Sequence, residues 1–468
     1  MKIARAVVPI LIATAAVAAL AAWLTLPAPV DVRERVPVED SRGQQAAMGR
    51  GVFKPGRGRP ADIPGAWPRF RGAAFDNIST ETIPLAERWP AGGPKVIWSR
   101  QMGEGYAGAA VWNGRVYVLD YDRKGQADAL LCLSLADGEE IWRYHYEVVV
   151  LRNHGMSRTV PAVTDKYVVT LGPKCHVLCV DPTRGTFRWA IDLVRDYGTK
   201  RPDWYAGQCP LIDDGRAIIA PAGKVMMMAV NCADGNVIWQ TPNPKGWLMS
   251  HSSVVPMEFA GRRMYVYCAN EGVVGVDSRD GRILWQTPEV PDKKQAKQSA
   301  AWAIKPTVVP SPVPLEGGRI FLSGGYGEGS KMIRLRQDGD KITPELVFHL
   351  PPEVFGSEQQ TPIFYRGRLY GMRPSGEMVC MDLKGNVLWA GGQFGKGYGP
   401  YVVAGGMLYV MDDDGVLSLL RATPEGYHEL DRAKVLEGPD SWGPMAVVAG
   451  RLIARDLNRM VCLDIRAK

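Results

Sequence analysis

Across its 468 residues the chain shows no helical periodicity, which excludes solenoids built from helix pairs. It has no Gly-x-Ser-x-Gly elbow and no His-Glu-x-x-His pair, so standard hydrolase chemistry has no foothold. The haem attachment spacing Cys-x-x-Cys-His is absent as well. Charge of one sign never accumulates: the net charge is only +7, and the arginines between residues 27 and 66 are interleaved with acids. Without a basic block or a recognised module, nucleic acid is excluded as a partner.

What is present is a repeat. Seven hairpins carry a Pro and, about five residues later, a turn that reverses the chain. The pairs are Pro161 with Asp165-Lys166, Pro210 with Gly215, Pro256 with Gly261, Pro312 with Gly317, Pro362 with Gly367, Pro400 with Gly405, and Pro444 with Gly450. An eighth copy, Ala109 with Gly114, lacks the Pro. Most units then close on a second turn and a Trp: Gly138 with Trp142, Gly185 with Trp189, Gly235 with Trp239, Gly281 with Trp285, and Gly385 with Trp389. A period of roughly 40–55 residues holding about four short strands is the pattern of a propeller blade. Proline cannot donate to a β ladder, so its place at each first strand suits the edge that faces a central channel.

These signals predict an all-β, eight-bladed β-propeller. Its units span 105–142, 156–190, 206–240, 251–286, 308–349, 359–390, 398–430 and 441–465. The last unit has only three strands, and Val96–Arg100 reads as the missing fourth, an N-terminal strand that closes the ring.

Residues 6–26 form the one long uncharged apolar run, preceded by Lys2 and Arg5. It is long enough to span a bilayer, and the basic start predicts that the rest is exported. The rival is a cleaved signal peptide, with small residues at 19–22 near a possible cut. The expected organisation is therefore 1–26 as anchor or signal, 27–66 as a flexible linker, and 67–468 as the propeller. Anchorage in the inner membrane facing the periplasm is favoured; a secreted periplasmic form is the alternative. Four of the eight cysteines (Cys132, Cys179, Cys380, Cys462) share one repeat position in different blades, so they cannot pair, and buried free thiols are expected.

Three local motifs invite chemistry and fail on spacing. Cys175 and Cys179 would lie roughly 13 Å apart along a strand, too far to share a metal. Gly325 to Lys331 lacks the order of a phosphate loop and falls on a hairpin. Asp412-Asp413-Asp414-Gly415 lacks the spacing of a calcium loop and reads as a solvated turn. No catalytic and no metal-ligating residue is predicted. The remaining signal is positional: the segments leading into each first strand must converge at one mouth of the channel. Tyr106, His154, Arg158, Tyr205, Gln208, His251, Lys305, Gln360, Lys396 and Trp442 are the candidate ligand-binding residues there. Arg158, Lys305 and Lys396 supply positive charge for an anionic group.

The units Val177-Leu178-Cys179-Val180-Asp181-Pro182-Thr183-Arg184-Gly185-Thr186-Phe187-Arg188-Trp189 and Val274 to Trp285 resemble the repeat of the pyrroloquinoline quinone (PQQ)-like propellers. The stretch Trp67-Pro68-Arg69-Phe70-Arg71-Gly72 resembles the start of a bacterial envelope branch of that superfamily. The resemblance implies one of two functions. The favoured one is a non-catalytic module that binds an envelope protein or a small anionic ligand, with no cofactor. The alternative is a small quinoprotein oxidoreductase holding PQQ and Ca2+ in the axial pocket. Quinoprotein alcohol dehydrogenases usually carry adjacent cysteines, which this chain lacks, and the lipid-anchored assembly factors carry an early Cys, whereas the first here is Cys132.

Overall fold

The computed structural model describes residues 48–49, 51–288, 308–324 and 326–467. Among them are eight antiparallel sheets of four core strands each. Blade 1 runs outward through Ala110–Trp112, Arg115–Asp122, Ala127–Ser134 and Glu140–Glu147. The innermost strands of blades 2 to 7 are Ala162–Val163, Leu211–Asp213, Val255–Phe259, Val313–Leu315, Ile363–Tyr365 and Tyr401–Ala404. Blade 8 is built from Ala446–Val448, Arg451–Arg455 and Arg459–Asp464. Its fourth strand is Lys95–Gln101, antiparallel to Arg459–Asp464, which is the predicted closure. The innermost strand of blade 8 lies beside that of blade 1, so the ring is complete.

Local chemistry accounts for the blades. Pro161, Pro210, Pro312, Pro362 and Pro400 each sit one residue before an innermost strand, where no ladder donor is required. Asn113-Gly114 and Asp214-Gly215 both adopt positive φ at the two turn positions, the twist that suits a two-residue hairpin. In the third strand, Cys132, Cys179, Cys380 and Cys462 lie directly opposite Trp142, Trp189, Trp389 and Trp98. A small side chain is needed there to seat the indole, and Ala229 and Gly275 fill the same role opposite Trp239 and Trp285. All eight cysteines are free and buried.

Several of these indoles then dock on the next blade. A Cβ on Gly185 would lie 2.7 Å from Trp142, one on Gly235 2.7 Å from Trp189, and one on Gly281 2.5 Å from Trp239. Trp98 of the closing strand repeats the contact across the seam: it covers Gly138 of blade 1, and its Nε1–H donates to the Leu135 carbonyl at 3.1 Å.

The structure corrects the expected linker. Residues 27–47 lie outside the described residues, as do the anchor at 6–26 and Lys305. No helix among the described residues is long and apolar enough to cross a membrane. From residue 51 onward, however, the segment expected to be flexible is ordered. Val52–Pro55 adds a fifth strand outside Glu140–Glu147, and the Ala61 N–H donates to the Gly114 carbonyl at 3.0 Å. The ordered body therefore starts well before Trp67, because this stretch satisfies edge groups of blade 1.

The segment then crosses the axis. Trp67 bridges Val111 of blade 1, and the Val163 N–H of blade 2 donates to the Pro68 carbonyl. Arg69 reaches the Ile212 carbonyl of blade 3 at 3.3 Å. The buried Arg71 guanidinium donates to the Thr361 and Pro362 carbonyls of blade 6 at 2.9 and 3.1 Å. Ile78–Ser79 pairs in parallel with the inner strand of blade 7. Within thirteen residues this strap touches five blades.

Candidate functional site

The segments that lead into the first strands meet at one mouth of the ring, as their repeat position requires. They enclose a cavity of about 540 Å³. Every blade contributes: Tyr106 from blade 1, Arg158 from blade 2, Cys209 from blade 3, His251 from blade 4, Val309 from blade 5, Gln360 from blade 6, Tyr398 from blade 7 and Trp442 from blade 8. Phe70 of the strap lines it too, so the strap closes the channel from behind. A larger hollow of about 720 Å³ on the turn side of blades 4 and 5 is shallow, and only those two blades build it.

A chain of side-chain acceptors sets the spacing of the walls. The Val160 N–H donates to Cys209 Sγ at 3.2 Å, the Cys209 N–H to Ser253 Oγ at 2.9 Å, the Ser253 N–H to Ser311 Oγ at 3.0 Å, and the Ser311 N–H to Thr361 Oγ1 at 2.9 Å. These bonds link blades 2 to 6 at the level of the cavity. The Pro that follows most of these positions removes a donor, and the small polar residue before it supplies an acceptor to the preceding blade.

Six of the ten predicted residues line the cavity: Tyr106, His154, Arg158, His251, Gln360 and Trp442. Three others do not. The Gln208 side chain is fully buried and bonded at both ends to the Ala220 backbone, so it replaces a ladder contact. The Tyr205 hydroxyl donates to the Leu151 carbonyl at 2.5 Å and fastens two loops together. Lys396 is exposed and held through its backbone N–H, which donates to Asp413; the expected convergence of Lys396 with Arg158 does not occur. Asp413, expected in a solvated turn, is instead buried, because the Trp442 Nε1–H also donates to its carboxylate at 2.5 Å.

The cavity wall is aromatic with one cation. Tyr106 and Trp442 lie 5.1 Å apart, Tyr398 stands edge-on to Trp442 at 5.3 Å, and His154 bridges Trp442 and Trp204 at 5.3 and 6.0 Å. The Tyr106 hydroxyl bonds His154 Nδ1 at 2.9 Å and donates to Asp440 at 3.2 Å. Arg158 lies 5.3 Å over the Tyr106 ring. Its Nε is buried without a partner, and no carboxylate among the described residues pairs with it. Burial pulls the Arg158 pKa down, with Tyr106 opposing. Burial and then Arg158 pull His251 down to about 4, and the same causes lower His154. Both histidines are therefore neutral at pH 7, and Arg158 is the one charged group in the lining among the described residues.

Phe70, Trp204 and Tyr326 were missed as lining residues. Phe70 and Trp204 lie on long connections whose paths no repeat register sets, and Tyr326 lies at the tip of the hairpin between Arg319–Ser323 and Ser330–Asp338, which reaches back over the mouth. The donor set does not fit a calcium ion, which takes about 6–8 oxygen ligands. Among the described residues no Asp or Glu lines the cavity: Asp440 stands behind it, bonded to Tyr106, and Glu358 behind it, bonded to the Tyr398 hydroxyl and the Tyr326 backbone. A quinone with several carboxylates would meet a single cation.

A family model described as outer membrane protein assembly factor BamB matches residues 127–349. No curated protein matches in sequence. Among solved structures, BamB from Moraxella catarrhalis is 14% identical, with 79% of this chain and 99% of that chain covered at a TM-score of 0.54. A quinohemoprotein alcohol dehydrogenase from Pseudomonas putida HK5 is 12% identical, with 87% and 81% covered at 0.59. The computationally designed Ika8 protein is 9% identical, with 79% and 100% covered at 0.54. At such identities the likeness concerns the fold alone. Residues 127–349 thus match a PQQ-like repeat model, and the whole ring shares the eight-bladed β-propeller fold with BamB and a quinohemoprotein alcohol dehydrogenase.

Proposed function

We propose that this chain is a binding module of the bacterial envelope, tethered to the inner membrane through residues 6–26, facing the periplasm and performing no catalysis. Its site is the axial cavity, and its ligand or protein partner presents an anionic group to Arg158. One observation carries this reading: the half-buried Arg158 guanidinium, with its Nε buried and unpartnered and its Nη2 reaching only the Asn153 carbonyl at 3.5 Å, faces a cavity walled by aromatic rings with no carboxylate paired to it among the described residues. A partly desolvated cation without a counter-ion is costly, and an incoming carboxylate or phosphate removes that cost through charge-assisted hydrogen bonds. The family match to an outer membrane protein assembly factor supports an envelope protein as partner.

The quinoprotein alternative draws on the dehydrogenase neighbour, but the cavity offers its cofactor a single charge and its cation no carboxylate. The test uses the exported protein with a photo-crosslinking residue at position 204. In cells, discrete adducts should form and disappear when Arg158→Ala is added, while the melting temperature stays within about 2 °C. Adducts unchanged by Arg158→Ala would refute the site. A saturable absorption change on titration with PQQ and CaCl2, with alcohol-dependent dye reduction, would refute the non-catalytic reading.

A further inference from the structure

Beside the cavity the chain exposes large apolar side chains that nothing in the fold requires to be at the surface. Val149 is 51% exposed, Leu151 59% and Trp204 46%, on two loops of blades 1–2 and 2–3 at the mouth. Scattered surface apolar residues need no explanation, but a cluster bordering a cavity marks a contact surface.

The loops are not loose. The Tyr121 hydroxyl takes the Val150 N–H and donates to the Val148 carbonyl, both at 2.9 Å. The Tyr205 hydroxyl donates to Leu151, and the Asn153 amide donates to the Asp203 carbonyl at 2.7 Å. Within this lip, His154 and Tyr205 hold φ of 63° and 68°, a left-handed conformation that is strained for a non-glycine residue. The fold thus bears strain to present Leu151 and Trp204 outward. The lip is continuous with the cavity, since Trp204 belongs to both and touches His154 at 6.0 Å. Its charge is positive: Arg123 and Arg152 share Glu104, and Lys200 and Arg201 on the second loop outnumber Asp203.

We propose that the lip and the cavity together receive an extended polypeptide segment with one carboxylate side chain flanked by apolar ones. The carboxylate enters the cavity and pairs with Arg158, and the apolar neighbours cover Leu151, Val149 and Trp204. This rests on the binding-module reading and adds the partner's chemistry. A small anion would satisfy Arg158 yet leave the lip bare. A polypeptide covers both, and the cationic lip favours an acidic segment over a basic one.

The experiment titrates the purified full-length chain in detergent with three probes, followed by tryptophan fluorescence. They are an acetylated, amidated pentapeptide with one glutamate between Leu-Phe and Phe-Leu, its glutamine counterpart, and 2-naphthoate. The glutamate peptide should bind at least about ten-fold more tightly than the glutamine peptide, the loss expected for one charge-assisted hydrogen bond. Arg158→Gln should abolish that difference. Leu151→Ser, which keeps the backbone carbonyl that Tyr205 uses, should weaken the peptide several-fold and leave naphthoate unchanged. Naphthoate binding as tightly as the peptide, with Leu151→Ser silent for both, would overturn the polypeptide proposal and spare the axial site. Binding of none of the three probes, or binding indifferent to Arg158→Gln, would overturn the binding-site reading itself.

Discussion

Trp98→Ala tests how the ring is closed. Trp98 is 6% exposed, its indole covers Gly138, and its Nε1–H donates to the Leu135 carbonyl. Truncating a buried Trp costs about 3–5 kcal/mol, and the lost hydrogen bond about 1 kcal/mol more. For a domain of this size that lowers the melting temperature by about 5 °C. Trp189→Ala, which removes the same dock and a 2.9 Å bond to the Cys232 carbonyl, should cost as much globally. The two variants should differ locally. Within blade 1, Leu133 pairs with Glu140 across a short hairpin, whereas Gln101 pairs with Arg459 about 350 residues away. Loop closure therefore disfavours docking of the closing strand by up to about 3–4 kcal/mol relative to a hairpin strand. Hydrogen exchange read by mass spectrometry should show Lys95–Gln101 and Arg459–Asp464 losing protection in Trp98→Ala while both stay protected in Trp189→Ala. Equal loss at that seam in the two variants would refute the argument that the seam is the weakest join.

Arg71→Ala should destabilise by about 3–5 kcal/mol, because it strands the Thr361, Pro362 and Phe75 carbonyls beside the axis; a melting curve unchanged within 1 °C would show that the strap adds nothing. Asp128 is buried, and desolvation, with Asp120 adding to it, raises its pKa to about 7, against an ordinary 3.8. The native state then binds the extra proton between those values, so this carboxyl erodes stability as pH rises from about 4 to 7. Asp128→Asn should gain on the parent by about 3 kcal/mol between pH 5 and pH 8, read from denaturant midpoints at those two values; a gap independent of pH would refute the assignment. For the anchor, mass spectrometry of the membrane fraction should find residues 27–66 still joined to the N-terminus, and a mature chain beginning near Trp23 would refute it.

The strap gives the cavity a closed end. Phe70 forms part of the cavity wall while its neighbours Arg69 and Arg71 are tied to blades 3 and 6. Any ligand therefore enters from the mouth bordered by Leu151 and Trp204, and a segment that enters must also leave there.

The fold was legible in the sequence because its signals are local. A Pro before the first strand, a positive-φ turn, and a Trp opposite a small residue are each read within one hairpin, and eight copies add up to a closed ring. The closing strand was legible for the same reason, since Trp98 carries the mark of a fourth strand wherever it stands in the chain. The repeat register also brought Tyr106, His154, Arg158, His251, Gln360 and Trp442 to one mouth. The direction each side chain takes there was decided only by tertiary structure. Gln208 turned to the Ala220 backbone, Tyr205 to Leu151, and Lys396 outward once Asp413 had taken its N–H. Residues 51–66 escaped a compositional reading: their Pro, Gly and Arg residues resemble a linker, and only the open edge of blade 1 makes them an ordered part of the ring. Trp67 to Ser79 read as part of the propeller, but its path across the axis was decided by the carbonyls of distant blades that its backbone and arginines satisfy.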